Sequence, residues 1–401
     1  MQNQNWRFLS KAIAVATLTV LVVSLSTFAA AQSDAARAIY DQSASIKTNI
    51  EGIRTFPEPA AGFNPIKASD EELAAYGIPP RPSQASDPAA YAKWARVMTA
   101  GAKRWHGELK TGWFHGTPMK SAPAPHNVSI SNTATSAGSY NWSGVVNTNT
   151  LTKYNAKSSY YYIFSEFNVP TAQQAFASSG GDGLGTGGNI CDGGWDVVSQ
   201  WNGIDGFKAD DTALLQGGTA SAFYCSTSGT ATEYWAWIEW YPHASVFEYD
   251  VNPGDDMYVE TWNTSSTQGY VALYDLTLGI YSSYGLTAPS GSALIGNSAE
   301  FITERPCCRG DYLYPLANYV ADFWDYSGDY TFNGHFNDPG ATTSSTYQVF
   351  MVDDADDQVI SVPDEVVNHG INQSLSNSGL YGKYSIFFQD ENCSYVGGCA
   401  F

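Results

Sequence analysis

Trp235-Ala236-Trp237-Ile238-Glu239-Trp240-Tyr241 is a run of aromatic and β-branched residues that stops at Pro242. Such residues suit a pleated, half-buried surface, and a proline closes a strand because it has no N–H to give the ladder. Similar runs recur outward from it: Tyr160–Val169, Met257–Thr261, Tyr270–Leu276, Ala299–Thr303 and Thr346–Val352, punctuated by Gly, Pro, Asn and Asp. This cadence predicts an all-β domain built as a β-sandwich. The composition agrees, with 14% aromatic residues, 14% charged residues and 37 glycines in 401 positions. The Gly-rich stretch Ser178–Gly188 has neither a strand-turn-helix context nor a basic residue, which excludes a phosphate loop.

The N-terminal third reads differently. Arg7 and Lys11 precede an apolar stretch, Ala12–Phe28, and Ala29-Ala30-Ala31 offers a cleavage site, so residues 1–31 are expected to be a secretory signal. Residues 32–135 carry two helical patches, Asp34–Ile53 and Asp87–Gly107, separated by the Pro-rich Gly77–Pro82. The polar stretch around Ser121–Ser139 reads as a linker. The expected division is a signal (1–31), a partly helical prosegment (32–135), the β-sandwich (136–335) and a C-terminal extension (336–401). Within the extension, Asp353-Asp354-Ala355-Asp356-Asp357 reads as a solvated turn, since it lacks the Gly and Glu spacing of a calcium loop.

Charge follows the same division. Of 19 Lys/Arg and 39 Asp/Glu, 13 and 9 fall in residues 1–138, which leaves 6 basic against 30 acidic residues in 139–401, a net of −24. So acidic a surface excludes nucleic acid and anionic membrane as partners. In acid the carboxylates discharge and few cations remain to repel one another, so the pattern suits acidic surroundings. A mildly basic prosegment would pair with the domain at neutral pH and release in acid. Six cysteines in an exported chain point to disulfides: Cys191 with Cys225, Cys393 with Cys399, and the adjacent Cys307 and Cys308 with partners left open.

The common hydrolase signatures are missing. No HExxH, GxSxG, Asp-Thr-Gly or CxxC occurs, and the six histidines are scattered. No cofactor or metal is expected. Two apolar strands each carry an unexpected polar residue, Gln216 in Ala213–Gly218 and Glu300 in Asn297–Ile302. Alone, either one reads as a solvent-facing position of an alternating strand.

Together with their surroundings they read as more. Asn141-Trp142-Ser143-Gly144, Phe167-Asn168-Val169-Pro170, Trp201-Asn202-Gly203-Ile204-Asp205-Gly206, Ala213-Leu214-Leu215-Gln216, Ala236–Pro242, Asn297–Glu304 and Leu316-Ala317-Asn318-Tyr319 follow one another in order. Over about residues 140–325 this chain resembles the glutamic peptidases (eqolisins, the scytalidoglutamic peptidase family). The resemblance implies a sandwich of two curved antiparallel sheets of the concanavalin/lectin-like kind, with substrate across one concave face. It places the catalytic pair on Gln216 and Glu300, and substrate-binding roles on Trp201, Asp205, Trp237, Glu239 and Glu304. Ala220 and Trp235 depart from the pattern, at positions where the family commonly carries Asp. The expected protein is a secreted (extracellular or periplasmic), monomeric acid endopeptidase made as a zymogen, with protein or peptide substrates, its own prosegment as inhibitor and no membrane attachment after signal cleavage. The alternatives are a carbohydrate-binding lectin-like module, or a jelly-roll glycoside hydrolase using Glu239 and Glu300.

Overall fold

The computed structural model describes residues 40, 46–125, 134–175, 191, 193–310, 312–319, 321–337, 339, 343–353, 359–367 and 385–390. The expected signal segment, the Gly-rich stretch 178–188 and the Cys393/Cys399 pair lie outside them.

Fourteen strands carry the body: β1 (Trp142–Thr148), β2 (Tyr160–Asn168), β3 (Gly194–Ile204), β4 (Leu214–Ser226), β5 (Gly229–Tyr241), β6 (Val246–Asp250), β7 (Asp256–Ser265), β8 (Gln268–Asp275), β9 (Ile280–Thr287), β10 (Ser298–Glu304), β11 (Ala321–Thr331), β12 (Thr346–Val352), β13 (Val359–Val367) and β14 (Ser385–Asp390). The front layer runs β6–β5–β4–β3–β10–β1–β12, all antiparallel. The back layer runs β14–β11–β2–β7–β8–β9, likewise antiparallel. β13 pairs with both β12 and β14 and so stitches the layers along one side. This is the β-sandwich that the strand cadence predicts. The expected boundary at 335 does not separate two bodies: β12 is a member of the front sheet, and β14 extends the back one.

Alternation explains the core. Val145, Val198, Leu215, Ile238 and Phe301 point from the front sheet to meet Ile163, Phe167, Val259, Val271 and Trp324 from the back sheet. Each sheet also buries its outer face, because the N-terminal segment covers both. On the back, Tyr40, Phe56, Ala74, Ala90 and Val97 pack on Tyr162, Tyr258, Trp262, Tyr270 and Tyr274. Helix α2 (Pro88–Met98) is started by Pro88 and capped by Asp87, whose side chain accepts from the Ala90 N–H. It buries Ala90, Trp94 and Val97 at helical spacing. Its Lys93 bridges Glu166 at 2.5 Å and Asp325 at 2.7 Å, and Arg96 joins Glu166.

The segment is less helical than its sequence suggests. From residue 46 the expected helix over 34–53 is a small hairpin, Ile46–Lys47 with Ile53–Thr55, which extends the edge of β9. Ile46, Thr48, Ile50 and Ile53 are β-branched, and Gly52 takes the left-handed conformation (φ 81°) that the turn requires. The patch 87–107 is helical only to Met98, after which Lys103–Arg104 lies along β9. A further short helix, α1 (Asp70–Ala75), carries a Ser69/Glu72 capping box.

Glu260 sits on the covered back face, fully buried, accepting from the Tyr162 and Tyr258 hydroxyls. Burial pushes its carboxyl up to about 8, against a smaller downward pull from the two hydroxyls. A group whose folded value is raised contributes stability that is complete below its unfolded value, near 4.5, and is lost as pH climbs through 8. Within that window each pH unit costs up to about 1.4 kcal/mol. Glu260→Gln should therefore raise the melting temperature at pH 8 and leave it nearly unchanged at pH 4. Thermal melts of the full chain carrying Glu300→Gln, compared with and without the second substitution, measure this; an equal shift at both pH values would contradict it.

Candidate active site

Period-2 alternation and register place four residues in one row on the outer face of the front sheet. Gln216 on β4 lies opposite Glu239 on β5 and, on its other side, opposite Gly203 on β3. Gly203 in turn lies opposite Glu300 on β10. The row reads Glu239, Gln216, Gly203, Glu300, each about 4.8 Å from the next. The glycine matters: with no side chain between them, Gln216 and Glu300 face the same space above β3. The adjacent row carries Trp237, Gly218, Trp201 and Ile302. Its two indoles are wholly buried and pinned, Trp201 Nε1 donating to Glu304 Oε2 at 2.8 Å and Trp237 Nε1 to Ser199 Oγ at 3.0 Å.

None of these polar residues faces solvent. Gln216 and Glu300 are 0% exposed, because residues 110–122 cross the face as a strap. Lys110–Thr111 pairs with β6, and Ser121–Ala122 pairs with Gly138 and Ser139. Between these anchors His115 exchanges two backbone hydrogen bonds with Cys307, at 2.5 and 2.8 Å. The Gly116 N–H donates to Glu239 Oε2 (2.9 Å), and the Thr117 N–H donates to Glu304 Oε1 (3.0 Å). Gly116 lies directly on the row: a Cβ added there would stand 2.2 Å from Gln216 Nε2. Only glycine lets the backbone approach so closely.

Neither the amide of Gln216 nor the carboxyl of Glu300 holds a well-formed hydrogen bond with any described residue. Burial pushes Glu300 well above the usual carboxylate range; Ser298 tempers this, while Asp205 and Asp211 add to it. Burial does the same to Glu239, opposed by the Gly116 N–H and reinforced by Glu304. Glu304 is pushed to about 8 by burial, although Thr117, Trp201 and Asn141 donate to it. Burial under the cover thus favours the neutral form of its carboxyls.

Six of the seven residues singled out in the sequence meet on this face: Gln216, Glu300, Glu239, Glu304, Trp201 and Trp237. Asp205 is placed differently. It is 1% exposed, has φ 69°, and its oxygens accept the N–H groups of Ile295 (2.5 Å), Gly296 (2.9 Å) and Asn297 (2.8 Å). Burial first, then Asp211, raises its carboxyl to about 7 against the pull of those donors. It ties the end of β3 to the loop that enters β10 and so fixes the height of Glu300. Gly203 and Gly116 are the members the sequence reading passed over. Gly203 sat inside the Trp201–Gly206 motif. Gly116 stood in an aromatic stretch, Trp113-Phe114-His115-Gly116, unlike the polar residues after it. Ala220 and Trp235, the two departures, are cross-strand partners. Cys191 and Cys225 form a disulfide, as expected.

A model of the Peptidase A4 family matches residues 140–351, more than half of the chain. Aspergillopepsin-2 of Aspergillus niger is 31% identical over 167 residues, 40% of this chain and 56% of the relative. Scytalidopepsin B of Scytalidium lignicola is 34% identical over 146 residues, 35% of this chain and 48% of the relative. The matched stretch thus spans about half the length of each. Among solved structures, scytalido-glutamic peptidase with a transition state analog inhibitor is 21% identical, with a TM-score of 0.44, covering 63% of this chain and 98% of that one. Aspergilloglutamic peptidase from Aspergillus niger is 22% identical, with a TM-score of 0.38, covering 49% and 99%.

Asp205→Ala would leave three backbone N–H donors, those of Gly296 and Asn297 buried, without an acceptor. It should lower unfolding stability by about 2–4 kcal/mol, with Asp205→Asn recovering part of the loss. Urea denaturation of the full chain tests this, and an Ala variant as stable as the parent would remove the bracing role.

Proposed function

The chain belongs to the Peptidase A4 family, and from that premise we propose that it is a secreted acid endopeptidase, made as a zymogen, that hydrolyses peptide bonds through Gln216 and Glu300. The observation that carries the reading is the row itself: an amide and a carboxyl, neither in a well-formed hydrogen bond with a described residue, on either side of a glycine and beneath a stretch of peptide.

The chemistry follows from the groups available. Glu300, once ionised, takes a proton from a water, and the water oxygen adds to the substrate carbonyl carbon. The Gln216 N–H donates to the oxygen on which negative charge develops. Glu300 then passes its proton to the amide nitrogen, the C–N bond breaks, and acid and amine leave. Glu239 and Glu304 accept backbone N–H groups of the peptide, as they do from Gly116 and Thr117, while Trp201 and Trp237 wall the groove. No step calls for a metal or a cofactor.

The strap silences this site in two ways. Gly116 occupies the space where a scissile bond and its water would lie. The cover also keeps water out, and the desolvation that raises Glu300 disfavours the ionised form a base needs. Release starts, on this reading, from the opposite face, where Lys93 and Arg96 of α2 are held by ion pairs to Glu166 and Asp325. The signal, the prosegment boundary near 135 and the export it implies belong to the same proposal, as does a monomeric state. Among the described residues no helix is long and apolar enough to cross a membrane. A glycosidase pairing of Glu239 with Glu300 is disfavoured by the register. Three strand spacings, roughly 14 Å, separate their backbones, whereas paired glycosidase carboxyls stand about 5–9.5 Å apart.

Incubation of the purified full chain at about pH 3–4, a range that protonates carboxyls, should shorten it to a product beginning near residues 130–140 that cleaves casein. Gln216→Ala and Glu300→Ala should each lower turnover by about 100-fold or more. Gly116→Val, which cannot keep the strap seated, should process at a higher pH than the parent. Folded Gln216→Ala or Glu300→Ala protein with parental turnover sinks the assignment.

A further inference from the structure

The strap does more than cover the row, because it enters the groove side chain first. Phe114 is 0% exposed, and its ring meets Trp237 (centroids 5.6 Å) and Phe247 (5.2 Å) on the sheet. Its carbonyl accepts from Ser245 Oγ at 2.5 Å. Trp113 lies alongside, stacked on Trp195 at 5.9 Å and edge-on to Trp235 and Tyr314, at 5.5 and 5.2 Å. Trp235 itself stacks flat on Phe247, at 5.0 Å and 12°.

This aromatic box is built wholly from the domain and is filled wholly by the prosegment. Its place relative to the dyad is fixed by the chain: Phe114 stands two residues before Gly116, the residue over Gln216. Peptide backbone is recognised between the two points, by Cys307 at His115 and by Glu239 at Gly116. These are sequence-independent contacts that any extended peptide can make. The box is the part of the groove that reads side chains. Trp235 stands where the resemblance leads one to expect Asp, and opposite it is the small Ala220, so the two departures together exchange a charged wall for an apolar one.

We propose that substrates occupy the strap's path and that the Trp237–Phe247–Trp235 box is a specificity subsite. It selects peptides with a large aromatic side chain two residues to the N-terminal side of the residue at the dyad. The inference rests on the peptidase reading for the word substrate, and on the strap geometry alone for the pocket.

Two measurements test it. In digests of an unstructured protein by acid-treated full chain, mapped by mass spectrometry, Phe, Tyr and Trp should be enriched at one fixed position two or three residues N-terminal of the cut. A Phe peptide should be preferred over its Ala counterpart by about 10-fold or more, and Phe247→Ala should reduce that preference by a similar factor, as expected for the loss of one apolar wall. A synthetic peptide of residues 110–122 should bind the acid-treated chain and quench its Trp fluorescence, with the peptide carrying Phe114→Ala at least ~10-fold weaker. Cleavage without positional preference, or equal binding of the two peptides, overturns the subsite. Phe114-dependent binding by a chain that cleaves nothing overturns the peptidase reading and leaves the pocket assigned.

Discussion

The front sheet is buried on both faces, and the rest of the structure answers to that constraint. An antiparallel sheet with one face on a core ordinarily gives its other face to water, and polar residues there cost nothing. Here that second face carries Gln216, Glu239, Glu300 and Glu304, all within 1% of complete burial. Buried polar groups must be paired or neutral. Glu304 is met by N–H donors from Thr117, Trp201 and Asn141, and Glu239 by one from Gly116. Glu300 and Gln216 hold no well-formed hydrogen bond with any described residue. A fold evolving for stability alone would fill such a place with apolar side chains. On the proposed reading the row is a cost carried for chemistry, and the strap is what makes it tolerable in the resting chain.

Much of this was legible in the sequence. Trp235–Tyr241, Tyr160–Val169 and Thr346–Val352 are strands because their residues are poor material for anything else, and the order of the seven motifs singled out Gln216 and Glu300. The exposure of those two residues was not legible. Alternation says which residues share a face, but it cannot say whether another segment lies on that face. Gly116 was equally hidden, since a glycine ahead of a polar linker reads as a turn until its backbone is seen against Gln216. The helix expected over 34–53 failed at its C-terminal end for a tertiary reason. The β-branched residues from Ile46 onward find an open edge at β9, and local propensity yields to it. Asp205 belonged to a site motif by sequence, yet its side chain is spent on three backbone donors. Only coordinates separate a residue that touches the peptide from one that holds up the strand beside it.

The N-terminal segment is held by two attachments of different chemistry. On the back face the contact includes an ion-pair cluster, Lys93 and Arg96 with Glu166 and Asp325, whose strength depends on carboxylate charge. On the front face it is made by backbone hydrogen bonds and by Trp113 and Phe114. Burying a large apolar side chain contributes about 1.5–3 kcal/mol, so Trp113 and Phe114 hold the strap by contacts that do not depend on charge. The back face also carries apolar packing, Phe56, Ala90 and Val97 against Tyr258, Trp262 and Tyr270, so only the charged part of the first attachment is open to acid, and the second has no such part. On the proposed reading, acid therefore does not expel the strap at once. It frees the helical part from the back face while the strap still lies in the groove, its backbone on the row and its aromatic side chains in their box. The last part of the inhibitor to leave is then the part that most resembles a substrate. On that reading, the contacts that would keep a zymogen silent at neutral pH also hold a peptide in position as water returns to Glu300 and its proton can be lost.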